Sequence, residues 1–159
     1  MSTPIETRAG AYRAVLRRID ALLEDESDWI AAMATVACEL HNAFDHFDWT
    51  GFYRSEGADG LVIGPYQGGH GCLRIRRGHG VCGTAAAESR TVVVPDVWEF
   101  PGHIACSAST RSEIVVPIFG RAGRVMAVLD VDSDQLDAFR AEDVQGLEEL
   151  CRDLGRRFG

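Results

Sequence analysis

The spacing of apolar residues in this chain changes twice, and that change limits the folds that the chain can adopt. Near both ends, apolar residues recur every three or four positions, which predicts amphipathic helices. Between Trp49 and Asp132, short runs rich in β-branched and aromatic residues are separated by glycine-rich turns. Two helices, about six strands and a final helix predict an α+β fold, in which N- and C-terminal helices pack on an antiparallel sheet.

The predicted helices have defined apolar faces. The first face comprises Tyr12, Leu16, Ile19 and Leu23. The second helix is predicted to begin after Ser27 or Asp28, and its face comprises Ile30, Met33, Ala37, Leu40 and Phe44. The last face comprises Val144, Leu147, Leu150, Cys151, Leu154 and Phe158. Because Cys38 lies beside the second face and Cys151 on the last one, we expect both thiols to be buried as small hydrophobic groups.

The length and charge of the chain exclude several classes of partner. Its 159 residues suit one domain, which we expect to span 1–159. The chain has 16 Lys and Arg against 24 Asp and Glu, a formal net charge of −8. We therefore expect neither nucleic acid nor an anionic membrane as a partner. The apolar runs are too short to span a membrane, and the polar segment Met1–Gly10 lacks a secretory apolar region, so we expect a cytoplasmic location.

The five cysteines do not form a recognisable disulfide framework or a CxxC motif. Three of them, Cys72, Cys82 and Cys106, lie in glycine-rich or irregular segments, and Asp96–Arg111 has no clear periodicity. These three can be unrelated residues near loops, or a nucleophilic thiol whose sulfenic acid condenses with a resolving thiol. A third alternative is zinc bound by these cysteines, but the spacing matches no standard zinc motif. The histidines considered for that alternative are His70, His79 and His103.

Acidic and aromatic residues form a second candidate group. Asp130 and Asp132 are two residues apart on a predicted strand, so their side chains share one face, roughly 7 Å apart. A hairpin would bring Glu113 close to both, although strand-end acids can also be merely solvated. Trp49 and Tyr53, four residues apart, can either wall a small cavity or belong to the core. The segment Gly78–Gly83 matches no nucleotide-binding motif, but its N–H groups can hold a small carboxylate.

Seven short segments follow one another along the chain. They are WTGFY at 49–53, GPYQG at 64–68, Cys72, GVCG at 80–83, GHIAC at 102–106, SEIVVP at 112–117 and LDVDS at 129–133. In this order they resemble the free methionine-(R)-sulfoxide reductases, a family built on a single GAF domain. The match runs from about Trp49 to Leu150.

The resemblance implies reduction of free L-methionine (R)-S-oxide to methionine, with thioredoxin as reductant. Because the two electrons come from thiols, we expect no cofactor, and we expect no resident metal. It implies that Cys106 is the nucleophile and that Cys72 and Cys82 are resolving cysteines, in an order left open. The family has an acid directly after the nucleophile, whereas this chain has Ser107. A homodimer is expected from the family and from the amphipathic terminal helices.

The resemblance also gives roles to the second group. Trp49 and Tyr53 match the aromatic residues of the substrate pocket, and the matching acids are Glu113, Asp130 and Asp132. Crowding raises the pKa of one carboxyl, so that one acid can stay protonated and donate to the sulfoxide oxygen while the others bind the substrate ammonium. The alternative functions are a non-catalytic GAF-type sensor of a small molecule and a redox sensor oxidised by peroxide.

Overall fold

In a computed structural model, which describes residues 7–159, the chain forms four α-helices and six β-strands. The helices are α1 (Arg8–Leu22), α2 (Trp29–Ala43), α3 (Gly80–Glu88) and α4 (Ala141–Phe158). The strands are β1 (Trp49–Glu56), β2 (Gly60–Gln67), β3 (Arg74–Arg76), β4 (Val92–Val94), β5 (Ser112–Phe119) and β6 (Val125–Ser133). A single 3₁₀ turn, Val97–Glu99, interrupts the otherwise irregular segment between β4 and β5.

The six strands form one sheet in the order β3-β2-β1-β6-β5-β4. Every pair of neighbours is antiparallel. The predicted α+β fold, with terminal helices on an antiparallel sheet, is therefore confirmed. The prediction of one domain over 1–159 stays a prediction, since residues 1–6 lie outside the described residues. Among residues 7–159, no helix combines the length and the apolar character needed to cross a membrane.

One face of the sheet is covered by three helices. Helix α2 packs on β1 and β2, α4 packs on β5, and α1 lies against both helices. Because successive strand residues point to opposite faces, alternate residues of the central strands enter this core. These residues are Phe52 of β1, Ile114, Val116 and Ile118 of β5, and Ala127, Leu129 and Val131 of β6.

The opposite face carries a second, smaller apolar cluster. Helix α3 packs there against β5 and β6. The strand residues of this cluster are the intervening ones, such as Tyr53, Val115 and Val128, and α3 contributes Val81, Cys82, Ala85 and Ala86. This second face also receives every strand residue proposed for the site, because those residues share the same alternation.

The ends and faces of the helices agree with the sequence at most positions. Of the two candidate caps for α2, Asp28 is the one used, and its side chain accepts from the Ala31 amide at 2.8 Å. Cys151 is buried as predicted. The prediction for Cys38 is wrong, because Cys38 is exposed. It follows the buried Ala37 by about 100° around the helix, which turns its side chain off the buried face. Ile30, at the edge of that face, is also exposed.

Candidate active site

Three of the candidate residues form one row across the sheet. The hairpin of β5 and β6 pairs Glu113 with Asp132, and the pairing of β6 with β1 places Trp49 opposite Asp132. Asp130 belongs to the next row, where its partner on β1 is Gly51. The expectation that the hairpin gathers the three acids is confirmed by this register, and all three point to the face that α3 covers.

Trp49 forms one wall of the site. Its ring stacks on Tyr53 and Tyr66, with centroids 6.0 and 5.2 Å away, and its Nε1 donates to the Gly69 carbonyl oxygen at 2.8 Å. Gly51 makes this arrangement possible, because a Cβ at that position would lie 2.6 Å from the indole ring. Trp49 and Tyr53 therefore share a face, and both interpretations of the sequence hold: the two rings line a cavity and also belong to the buried apolar cluster of the α3 face.

Helix α3 brings Cys82 against the acids. Cys82 lies in the first turn of the helix, is only 3% exposed, and its Sγ donates to Glu113 Oε1 at 3.9 Å. The helix can approach the sheet closely at Gly83, where a Cβ would lie 2.3 Å from the Arg76 carbonyl oxygen. Cys82 is thus a free buried thiol beside two buried carboxyl groups.

The other two candidate cysteines are joined to each other. Cys72, between β2 and β3, forms a disulfide with Cys106 in the irregular segment before β5, and their Cα atoms are 5.5 Å apart. Cys106 lines the cavity, whereas Cys72 packs beside the apolar cluster of the α3 face. Ser107, the residue that replaces an acid, is exposed, and its hydroxyl lies 3.1 Å from that of Ser109.

In this disulfide-bonded state, a cavity of about 50 Å³ lies among the candidate residues. Except for Cys72, every candidate residue named from the sequence lines it: Trp49, Tyr53, Cys82, Cys106, Glu113, Asp130 and Asp132. The three histidines considered as zinc ligands line it as well, at His70, His79 and His103. The sequence did not identify Ile104 and Thr110 as lining residues, since they lie in an irregular segment whose path no periodicity predicts.

The acids perturb one another strongly. Burial raises the pKa of Asp130 to about 6, a rise that hydrogen bonds with Glu113 and Cys82 oppose. Burial, together with the charges of Asp130 and Asp132, raises the pKa of Glu113 well above its usual range. The pKa of Asp132 is raised by burial and by the charge of Asp130, although this side chain keeps partial contact with solvent. These shifts favour ionisation of Asp130 before Glu113, and they favour the protonated form of Glu113.

Neutral forms are favoured throughout this cavity. Burial and the neighbouring acids raise the pKa of the Cys82 thiol well above its usual range. Burial, with Asp130 and Cys82 nearby, also raises the pKa of Tyr53. Cys82 is therefore a thiol rather than a thiolate, and it can donate a hydrogen bond but is a weak nucleophile.

No basic side chain balances the acids within residues 7–159. None of the ion pairs found there involves Glu113, Asp130 or Asp132. Asp130 Oδ1 is buried and has no hydrogen-bond partner. Buried polar atoms are normally satisfied, so this oxygen points to a ligand that the cavity receives, and a cation is the ligand that the charge favours.

Comparison with known proteins places the chain among GAF domains. The GAF domain family model matches residues 24–157. The "GAF domain-containing protein A" of Dictyostelium discoideum is 45% identical over 89% of this chain and 88% of its own. The "Free methionine-R-sulfoxide reductase" of Escherichia coli K12 is 41% identical over 90% of this chain and 86% of its own.

One solved structure is similar to this chain in both fold and sequence. It is the free methionine-R-sulfoxide reductase from Neisseria meningitidis, determined in complex with its substrate. That protein superposes on this chain with a TM-score of 0.93 and 45% sequence identity, covering 99% of this chain and 94% of its own. The likeness spans all four helices and the whole sheet.

Proposed function

Because this chain belongs to the free methionine-(R)-sulfoxide reductase family of GAF domains, we propose that it reduces free L-methionine (R)-S-oxide to L-methionine. The observation that carries the proposal is one cavity that contains Cys106, two stacked aromatic rings and three acids. The enzyme is an oxidoreductase whose two electrons come from cysteine thiols, so the reaction requires no electron-carrying cofactor.

In the first step, the Cys106 sulfur attacks the sulfur of the sulfoxide. The sulfoxide oxygen receives a proton and moves to the cysteine, which leaves methionine and a Cys106 sulfenic acid. In the second step, a resolving thiol attacks the sulfenic sulfur, and water leaves as the disulfide forms. A dithiol then reduces this disulfide to two thiols and is itself oxidised, so that each turnover consumes one sulfoxide and one dithiol.

Cys72 is the resolving cysteine in this proposal. Its support is the Cys72–Cys106 disulfide, whose Cα separation of 5.5 Å lies in the usual range. Cys82 fits the role less well, since its burial between two carboxyl groups favours the protonated thiol. We assign Cys82 instead to positioning: its thiol donates to Glu113 and holds that carboxyl in place.

The acids divide between proton transfer and binding. Glu113 is the proton donor, because burial and the neighbouring acids raise its pKa and favour its protonated form. Asp130 ionises more readily, and its unpartnered oxygen is suited to the substrate ammonium. Asp132, at the more exposed end of the row, adds a further carboxyl group to the same subsite. The N–H groups at the start of α3, near Val81, are suited to the substrate carboxylate.

This arrangement favours a free amino acid over a residue inside a protein. A peptide-bound methionine sulfoxide has no ammonium to balance Asp130, and its chain would have to enter a small cavity. The faces of Trp49 and Tyr53 suit a polarizable sulfur and its methyl group. The selectivity for free substrate therefore follows from the acids, and the fit of the sulfur end follows from the rings.

Thioredoxin, a protein dithiol, is our proposal for the reductant. Both cysteines of the disulfide are partly exposed. Apolar side chains beside them are more exposed, with Leu73 at 72% and Ile104 at 39%. Such a surface suits a partner that approaches a disulfide by apolar contact. We propose a cytoplasmic setting, where such dithiols are kept reduced, and a homodimer, which the mass of the protein in solution tests.

The deciding experiment measures thioredoxin-coupled turnover with four substrates: the R and S epimers of methionine sulfoxide, each free and within a peptide. We expect turnover with the free R epimer alone. Cys106→Ser is expected to abolish methionine formation even in a single turnover, and Cys38→Ser, which changes an exposed thiol outside the cavity, serves as the matched control. Binding of the R epimer without turnover would instead identify a sensor.

A further inference from the structure

The cavity holds a set of ligand atoms that spacing along the chain does not reveal. Cys82 Sγ, one oxygen of Glu113 and one oxygen of Asp130 all lie within 4.8 Å of one another, and all three residues are buried. They come from α3, β5 and β6, so 31 residues separate the first two. Standard zinc motifs place their ligands close together in sequence, whereas this set is assembled by the packing of a helix on a hairpin.

Two further observations indicate that the set is prepared for a cation. Asp130 is 5% exposed, yet its Oδ1 has no hydrogen-bond partner. None of the ion pairs within residues 7–159 supplies a positive charge to Asp130 or Glu113. An uncompensated buried carboxylate is costly, so any cation that reaches it is bound favourably. The substrate ammonium is one such cation, but the adjacent sulfur suits a different one.

We propose that Cys82, Glu113 and Asp130 form an inhibitory site for a thiophilic divalent cation of the zinc class. Three protein ligands and one water complete a tetrahedral zinc site. With ordinary zinc bond lengths, a tetrahedral site separates its sulfur and oxygen ligands by about 3.6 Å. The distance from Cys82 Sγ to Glu113 Oε1 is 3.9 Å, so the two side chains need to close by only a few tenths of an ångström.

The ligand set selects among metals by its chemistry. Thiolate favours zinc over the hard cations magnesium and calcium, which prefer oxygen ligands alone. Coordination breaks the S–H bond of Cys82 and the O–H bond of the protonated Glu113 carboxyl, and both released protons pass to solvent. The sulfur is not oxidised in this step, so it requires no electron donor or acceptor. Because the cation binds Asp130, the residue proposed for the ammonium, metal and substrate exclude each other.

Cobalt(II) in place of zinc tests the proposal directly, because a thiolate bound to cobalt gives a near-ultraviolet charge-transfer band. The protein is used in its oxidised form, in which the disulfide removes Cys72 and Cys106 as ligands. All variants are made in a Cys38→Ser background, which removes the exposed thiol. We expect this background protein to develop the band, and added zinc to abolish it.

Ligand variants then test which residues hold the metal. Loss of a residue that only supports a ligand costs about 10–100-fold in metal affinity, so Cys82→Ser is expected to cost at least 100-fold. Asp130→Asn keeps the thiol and is also expected to weaken binding. A band that survives Cys82→Ser, or the absence of any cobalt or zinc binding by calorimetry, overturns the proposal. If Cys82→Ser does not fold, Asp130→Asn decides, and unchanged affinity in that variant overturns it.

Competition separates this inference from the proposed function. Excess free methionine sulfoxide is expected to reduce the cobalt band, and this arm alone rests on the proposed function. If the protein turns over substrate but binds no cobalt, only the proposed metal site is refuted. If the protein binds cobalt through Cys82 but reduces no sulfoxide, only the proposed activity is refuted.

Discussion

Within residues 7–159, one polar cluster around a buried acid lies on each face of the sheet, and the two clusters are built in opposite ways. On the helical face, Asp143 of α4 is fully buried and accepts four hydrogen bonds. The donors are Arg8, Tyr12, His46 and the backbone amide of Arg140, at 2.6 to 3.2 Å. On the α3 face, Glu113 and Asp130 are also buried, but no basic side chain pairs with them within residues 7–159.

The pKa values follow the partners rather than the burial. Burial alone would raise the pKa of Asp143, but hydrogen bonds from His46, the Arg140 amide and Tyr12, with the charge of Arg8, lower it. In the cavity, burial and like charges raise the pKa of Glu113 instead. Asp143 is thus a structural carboxylate that links α1 to α4. The cavity acids lack a positively charged partner, which a bound ligand can supply.

The largest effect should come from Glu113→Gln. An amide keeps the shape of the protonated acid but is a very weak proton donor, so kcat should fall roughly 10²–10⁴-fold. Stability should change little, because Gln resembles the neutral acid. In the wild type, the rate should also fall on the alkaline side, as Glu113 loses its proton. Steady-state kinetics across pH checks both points, and near-native kcat in this variant would remove Glu113 from proton transfer.

Asp143→Asn is the same chemical change in the other cluster, and its effect should be reversed. It leaves the half-buried Arg8 and the Arg140 amide facing an amide nitrogen or a neutral oxygen, and leaving such groups unsatisfied costs about 1–3 kcal/mol. Urea unfolding should show this loss, while kcat below the unfolding transition stays near the wild-type value. Stability unchanged by this substitution would mean that the contacts of Asp143 with α1 contribute nothing to folding.

The free energy of unfolding should depend on pH because the pKa values of the cavity acids are raised in the folded state. The pKa of Asp130 is raised from 3.8 to about 6, so the folded state binds more protons than the unfolded state between these values. The free energy of unfolding should therefore fall as pH rises from about 4 to above 6, by roughly 3 kcal/mol from Asp130. Asp130→Asn should make that decline shallower without removing it, because Glu113 and Asp132 also bind protons more tightly in the folded state.

The control lies again in the other cluster. Because the pKa of Asp143 is lowered, its contribution is present above about pH 4 and is lost only as pH falls below that value. Asp143→Asn should therefore leave the decline between pH 4 and 6 intact. An unchanged decline in Asp130→Asn would show that other groups control stability in this range.

Most of the fold and most of the residues that line the cavity could be predicted from the sequence. Alternation along β6 was sufficient to place Asp130 and Asp132 on one face, and the hairpin predicted their approach to Glu113. The family resemblance gave the family and the enzyme class, which the relatives confirm. These inferences succeed because they depend on local periodicity and on segments that are specific in combination.

Contacts between distant elements could not be predicted in this way. Asp143 shares a helix with the apolar face, and nothing in its neighbourhood in the sequence indicates the donors from Arg8 and Tyr12. The burial of Cys82 against Glu113 depends on the close approach of α3 at Gly83. Cys38 was placed wrongly because a residue beside an apolar face can turn either inward or outward. The pairing of Cys72 with Cys106 depends on an irregular segment.

The two buried thiols, Cys82 and Cys151, also lie on opposite faces of the sheet, and their replacement should have the smallest effects. Cys151 is 1% exposed among the apolar side chains of the helical core, and Cys82 is 3% exposed beside Glu113. Replacing either by Ala removes one sulfur atom from a packed interior, which should lower the free energy of unfolding by about 1 kcal/mol.

Only Cys82→Ala should also change the pH profile of kcat. The hydrogen bond from Cys82 lowers the pKa of Glu113, so its loss should move the alkaline limb to higher pH. Cys151→Ala should keep the wild-type profile, and a shift in that variant, or none in Cys82→Ala, would contradict the positioning role of Cys82.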